Sequence, residues 1–306
     1  MELAAVPGLG ALYARGVAAS ARLAALSRAG RAPSRLPDVE YVVHGVVADA
    51  DRLTAYQHLL GETASDALPA GYVHVLAFPV ATALMVAGDF PLPLAGMVHL
   101  ANRVEQHRAL RLGERLTVRA RAQHLRPHRS GTQVDLVTEV GGEGADGVAG
   151  TDGVVWRGVS TYLAKGVRLA TGGDDDAAAS APAPRREAFV APTPTGRWTL
   201  AADAGRRYAA VSGDRNPIHL SALTARPLGF PRAIAHGMDT AARALAAVGP
   251  ARGESFTWTA EFARAVLLPG TVTVRVAPDD GGSGYAYTGW DARSGTLHLS
   301  GTVVPS

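Results

Sequence analysis

The chain has 306 residues, of which 47% are apolar and 19% charged, with a formal net charge of +3; this is the composition of a globular protein with room for two cores, not of a disordered chain. It contains no cysteine, which excludes disulfides, thiolate metal sites and a cysteine nucleophile and agrees with a reducing cytoplasm. Lys165 is the only lysine and no basic cluster is interleaved with aromatics, so no nucleic-acid partner is expected.

Residues 1–40 form an N-terminal arm. Its apolar positions are interrupted by Arg15, Arg22, Arg28 and Arg31, a pattern that predicts an amphipathic segment docked on the body, with a membrane-surface contact as the alternative. Glu2 and the lack of an uninterrupted apolar run argue against a signal peptide. In "DRLTAYQHLLGE", Asp51 is placed to cap a short helix that stops at Gly61. The longest apolar run, residues 73–88, contains His74 and Pro79 and falls short of the roughly 18–20 apolar residues of a membrane span. It predicts a buried helix from Phe78 to Val86, and no integral membrane segment. Strand-like sequence follows in "RLGERLTVRARAQHL", "TQVDLVTEV" and "VVWRGVSTYLAK".

Residues 169–194, "LATGGDDDAAASAPAPRREAFVAPTP", read as an interdomain linker. Beyond them the pattern restarts. "DAGRRYAAVSGD" repeats the D-x4-Y-x4-G-acidic spacing, with Asp203, Tyr208, Gly213 and Asp214 answering Asp51, Tyr56, Gly61 and Glu62. A helical run follows over Gly237 to Val248, with Met238, Ala241, Leu245 and Val248 on one face. Strands are expected in "LLPGTVTVRVAPDD", "GYAYTGWDA" and "LHLSGTVV". The expected fold is therefore α+β: two tandem units, residues 41–168 and 195–306, each a long helix wrapped by a curved antiparallel sheet.

The chemistry gathers in "YAAVSGDRNPIHLSALTARPLGFPRAIAHGM", residues 208–238. Pro217 stops a helix and pushes Asn216 towards an extended conformation, so Asp214 to His219 should be a turn. Such a turn can aim a carboxylate and an imidazole at one water. It can equally be an Asx-turn satisfying its own backbone. Metal binding by Asp214, His219 and His236 is possible by ligand type, but the spacing matches no metal motif and none is expected. A helix opening at Gly237 offers unpaired N–H groups and no Cβ, enough to stabilise an enolate oxygen. His236 is either part of that site or a buried, hydrogen-bonded residue. Ser212 lacks a nucleophile elbow.

This stretch resembles the signature of the MaoC-like (R)-specific enoyl-thioester hydratases and dehydratases, through Asp214, Asn216, Pro217, His219, Gly229, Phe230, Ala235, His236 and Gly237. More weakly, the whole chain is similar to double-hotdog members of that family. The resemblance implies reversible hydration of trans-2-enoyl thioesters to (3R)-hydroxyacyl thioesters in fatty-acyl metabolism, with no cofactor. It makes Asp214 and His219 the catalytic pair, supported by Asn216, Ser212 and His236, with the Gly237 N–H as the oxyanion donor. Phe230, Ile234 and Met238 become candidate substrate contacts, and Arg215 and Arg232 candidate partners for the phosphates of CoA or acyl-carrier protein. Which of Asp214 and His219 moves which proton stays open. The first half lacks the N-P-x-x-H and A-H-G elements, with Ala67 at the His219 spacing. It is expected to have lost its site and to shape the acyl groove, widened by a shortened helix. A hotdog thioesterase, a non-catalytic acyl-binding subunit and a possible homodimer are the other expectations to weigh.

Overall fold

The computed structural model describes residues 1–29, 31–142, 153–169 and 189–306. Of the expected linker, residues 170–188 lie outside the described residues. Ten strands form one antiparallel sheet, in the order β1-β3-β4-β5-β2-β7-β10-β9-β8-β6. The first five are β1 (Tyr41–Val46), β2 (Met97–Gln106), β3 (Leu116–His128), β4 (Gly131–Gly142) and β5 (Trp156–Lys165). The second five are β6 (Gly196–Leu200), β7 (Phe256–Phe262), β8 (Gly270–Pro278), β9 (Tyr285–Asp291) and β10 (Thr296–Pro305). The order reads alike outwards from the centre in both directions, so each half has the same topology. The halves join edge to edge where β2 pairs with β7, from Ala101↔Glu261 to Gln106↔Phe256.

Helix α1 (Leu9–Arg28) precedes the first half, whose own helices are α2 (Ala50–Leu60) and α3 (Ala70–Met85). The second half carries α4 (Ala204–Ser212), the short α5 (Ala222–Ala225) and α6 (Gly237–Val248). Helices α3 and α6 each pack on the strands of their own half. Among the described residues no helix is long and apolar enough to cross a membrane.

Helix α6 has the bounds its apolar spacing predicts. Helix α2 stops at Gly61 and α4 at Gly213, both left-handed with φ of 73° and 78°, a conformation that glycine adopts without a Cβ clash. The capping expectation needs correction. Asp49, not Asp51, caps α2 by accepting from the Arg52 N–H at 2.7 Å, and Asp203 occupies the cap position of α4 without a side-chain bond.

The first-half helix is not shortened either. Helix α3 has 16 residues against 12 in α6 and carries Pro79 in its interior. Proline there forfeits the bond to the Val75 carbonyl, but nearly every residue of the helix is buried, and that burial outweighs the missing bond. A shortened helix therefore does not widen the groove.

The repeat's matched tyrosines meet between the halves, with Tyr56 and Tyr208 rings 6.5 Å apart. Glu62, the counterpart of Asp214, is buried and accepts from Arg252 of the second half at 2.9 Å. Its carboxylate is consumed as an interdomain ion pair. Because removing one member strands the other, Glu62→Ala should destabilise the fold by about 3 kcal/mol. Chemical denaturation checks the loss, and the midpoint should fall without a change in the folded protein's secondary structure.

Candidate active site

Helix α4 delivers the chain to the site. Arg52 of α2 clamps its last carbonyls, donating to Val211 O at 2.7 Å and Ser212 O at 2.9 Å, and Gly213 then turns the backbone outward. The Asp214 N–H donates to Ser212 Oγ at 3.1 Å, and Asp214 Oδ1 accepts the Asn216 N–H at 3.1 Å. The Asx-turn is thus real and is itself the platform of the site. Asn216 Oδ1 accepts from Ile218 N–H at 3.4 Å and opens the short 3-10 turn Pro217–His219. Gly205 of α4 lies directly beneath that turn, and a Cβ there would stand 2.1 Å from the His219 carbonyl oxygen.

His219 Nδ1 faces the Ile234 carbonyl at 2.9 Å. A carbonyl only accepts, so Nδ1 carries the proton and Nε2 is the basic nitrogen. His236 Nε2 likewise donates to the Asp214 carbonyl at 3.0 Å and lies 3.6 Å from Asp214 Oδ2. Its buried Nδ1 has no hydrogen-bond partner among the described residues. The two imidazoles stack, with centroids 3.6 Å apart. One donor atom from each of Asp214, His219 and His236 lies within 4.8 Å of the others, a spacing that one water or one ion spans.

Burial pushes the Asp214 carboxyl up, but His236 and His219, with hydrogen bonds from Tyr13 and Asn216, hold it below the usual carboxylate range. Burial depresses His219, partly opposed by Asp214 and by the Ile234 carbonyl. His236 is depressed to about 3 by burial and by the stacked His219. At neutral pH the site is one carboxylate beside two uncharged imidazoles.

These groups line a cleft of about 180 Å³ between the halves. Ser212, Asn216, Ile234, His236, Gly237 and Met238 line it too. The Gly237 N–H, first in α6, makes no hydrogen bond within the described residues. The Phe262 ring stands 2.9 Å from where a Cβ on Gly237 would be.

Three expected contacts are not brought in: Phe230, Arg215 and Arg232 do not line the cleft, and both arginines are exposed to solvent on its flanking turns. Arg264, also exposed, does line it. The first half contributes His74 and Phe78 of α3, His99 of β2 and Tyr162 of β5. Tyr13 of α1 donates to Asp214 Oδ1. Its signal was in the sequence, since Tyr13 shares the buried face of Leu9, Leu12 and Gly16 at helical spacing.

A model of the MaoC like domain matches residues 190–285. The chain is 35% identical over 269 residues to 3-hydroxyacyl-thioester dehydratase X of Mycobacterium tuberculosis, covering 88% of this chain and 90% of that one. The crystal structure of HtdX of Mycobacterium tuberculosis superposes with a TM-score of 0.72 at 33% identity, covering 87% of this chain and 99% of that one. A MaoC-like dehydratase from Phytophthora capsici shares the fold, with a TM-score of 0.65 at 19% identity over 89% of this chain and 96% of that one. The chain, two tandem hotdog units in one continuous sheet, belongs to the MaoC-like 3-hydroxyacyl-thioester dehydratases.

Proposed function

We propose that the protein is a hydro-lyase that interconverts trans-2-enoyl and (3R)-hydroxyacyl thioesters, with Asp214 and His219 as its catalytic pair. The observation that carries this reading is the convergence of an ionised carboxylate, a neutral imidazole nitrogen and an unpaired helix N–H on one cleft. A water between Asp214 and His219 Nε2 gives a proton to that nitrogen as its oxygen bonds to C3 of the enoyl group. Electron density moves onto the thioester oxygen, where the Gly237 N–H meets it; such a donor contributes about 3–4 kcal/mol to the transition state. The proton on His219 then passes to C2, and Asp214 stabilises the imidazolium in between. One water has been consumed and no other co-reactant is needed.

In this reading residues 195–306 are the catalytic half and residues 41–168 the acyl-groove half. Phe78, Met85, Leu94 and Met97 give the cleft its apolar wall, which suits an acyl chain. Arg264 is the cation we assign to the phosphates of the carrier, CoA or acyl-carrier protein. Both walls of the cleft come from one chain, so turnover needs no second copy.

The test is hydration of crotonyl-CoA and longer 2-enoyl-CoA esters, followed as loss of the conjugated enoyl absorbance with chiral analysis of the product. Formation of the (3R)-hydroxyacyl ester without thiol release supports the reading, and thiol release alone would replace it with a thioesterase. Because Asp214, His219 and His236 could also gather round an ion, the assay is repeated after exhaustive chelation. An undiminished rate is expected if water alone is held there.

A further inference from the structure

Helix α1 precedes both hotdog units, yet it reaches the catalytic turn. Leu9, Leu12 and Gly16 form its buried face. A Cβ on Gly213 would stand 2.8 Å from Leu9 Cδ1, so the helix rests on the residue before Asp214. One to two turns further along, a Cβ on Gly16 would stand 2.6 Å from Leu94 Cδ2 and 3.3 Å from Val86 Cγ1. The helix therefore spans from the catalytic turn of the second half to the end of α3 in the first. Tyr13 lies between these anchor points, lines the cleft, and donates its hydroxyl proton to Asp214 Oδ1 across 201 residues of sequence.

The two oxygens of Asp214 are thereby made unequal. Oδ1 accepts from the Tyr13 hydroxyl and the Asn216 N–H, while the nearest cation-forming group to Oδ2 is His236 Nε2 at 3.6 Å. We propose that α1 belongs to the catalytic apparatus, with Tyr13 as a positioning residue that fixes Asp214 Oδ1 and leaves Oδ2 to hold the reacting water. This rests on the hydratase reading of the same site. Two donors on one oxygen stop rotation of the carboxylate and stabilise its charge. Burial and the neighbouring Asp214 charge raise the Tyr13 phenol far above its ordinary value, so it remains a donor throughout any working pH range.

The other titratable groups around Asp214 are known. His236 and His219 face it from its own half. Its charge also reaches His74 on α3, His99 on β2, Tyr162 on β5 and Tyr208 on α4. Replacing Tyr13 by Phe changes none of these and keeps the ring.

The experiment compares wild type, Tyr13→Phe and Leu12→Ala. Tyr13→Phe should lower kcat on crotonyl-CoA about tenfold with KM within twofold, since the lost bond acts on the reacting group and not on substrate binding. In protein carrying carbon-13 at the aspartate carboxyls, with the Asp214 signal assigned from Asp214→Asn, its titration midpoint should rise by about one unit, a tenfold change in proton affinity. Leu12→Ala removes packing but neither the Tyr13 hydroxyl nor the anchors at Leu9 and Gly16, so it should lower Tm while leaving that midpoint in place. A Tyr13→Phe enzyme whose kcat and Asp214 midpoint both match wild type overturns the proposal. So does one that loses only Tm, since Tyr13 would then be mere packing. Wild type with no hydratase activity refutes the functional reading instead, and the carboxyl titration still decides whether Tyr13 governs Asp214.

Discussion

Asp214→Asn is expected to lower kcat/KM for 2-enoyl-CoA hydration by about a thousandfold while Tm stays near wild type. The asparagine oxygen can still accept from Tyr13 and from the Asn216 N–H, so the turn keeps its shape. In the proposed mechanism, what disappears is the negative charge that steadies the imidazolium while His219 holds the proton, and general acid–base groups of this kind contribute about a hundred- to ten-thousandfold. His219→Ala should fall as far, because it removes the nitrogen assigned to take the water's proton, and His236 Nε2 beside it already carries a proton that it donates to the Asp214 carbonyl. It also strands the Ile234 carbonyl that accepts from Nδ1, so a loss of about 1–3 kcal/mol in stability should accompany it. The double variant should be scarcely slower than the worse single one, since the two residues act on one proton. Near-wild-type rates in both single variants would exclude the mechanism, and a multiplicative double variant would show that the residues act in separate steps.

Much of this site is legible in the sequence because it is local. Gly213, Asp214, Asn216, Pro217 and His219 set their own turn through backbone preferences and bonds two residues apart. The bounds of α6 follow from apolar spacing with a glycine at each end. The seam of the fold is not local. Strand β2 places Asn102 and Gln106 inward, where Asn102 Oδ1 accepts from Ser160 Oγ at 2.8 Å and Gln106 Nε2 donates to Glu254 O at 2.9 Å. Those polar residues erase the alternation that marks a strand, and only the partners across the sheet account for them. The same holds for Pro79, which reads as a helix breaker until the burial of α3 is known. Glu62 looks like a relic of Asp214, and its partner Arg252 lies 190 residues away. Tyr13 shows the limit most clearly, since helical spacing can turn it inward but cannot reveal that the inward side is Asp214.

The cleft's histidines should make the protein's stability fall steeply with acid. His74 is held at about 4 by burial, and His99 at about 3 by burial and the nearby His74. His236 is held at about 3 by burial and by the stacked His219. In the unfolded chain each takes up a proton near pH 6.5. Between that value and about 4 the unfolded state binds more protons than the native one, so stability rises with pH and is lost as pH falls. Three such groups give a slope of up to about 4 kcal/mol per pH unit. Against a total stability of roughly 5–15 kcal/mol, this places acid unfolding near pH 5 or a little below. Asp214, held below its usual range, adds a loss of the same sign at lower pH. Asp239 opposes it there, because burial raises its carboxyl despite the pairing with Arg243. Urea midpoints measured from pH 8 down to pH 5 should be level above pH 7 and then decline. His99→Phe should reduce the slope by about one proton, since the ring is retained in its contacts with Tyr162 and Phe262 and the partnerless Nε2 is removed. A midpoint that does not change between pH 8 and pH 5 would mean that these imidazoles accept protons inside the fold, and His219 would then lose the uncharged surroundings on which its proposed role as the water's proton acceptor depends.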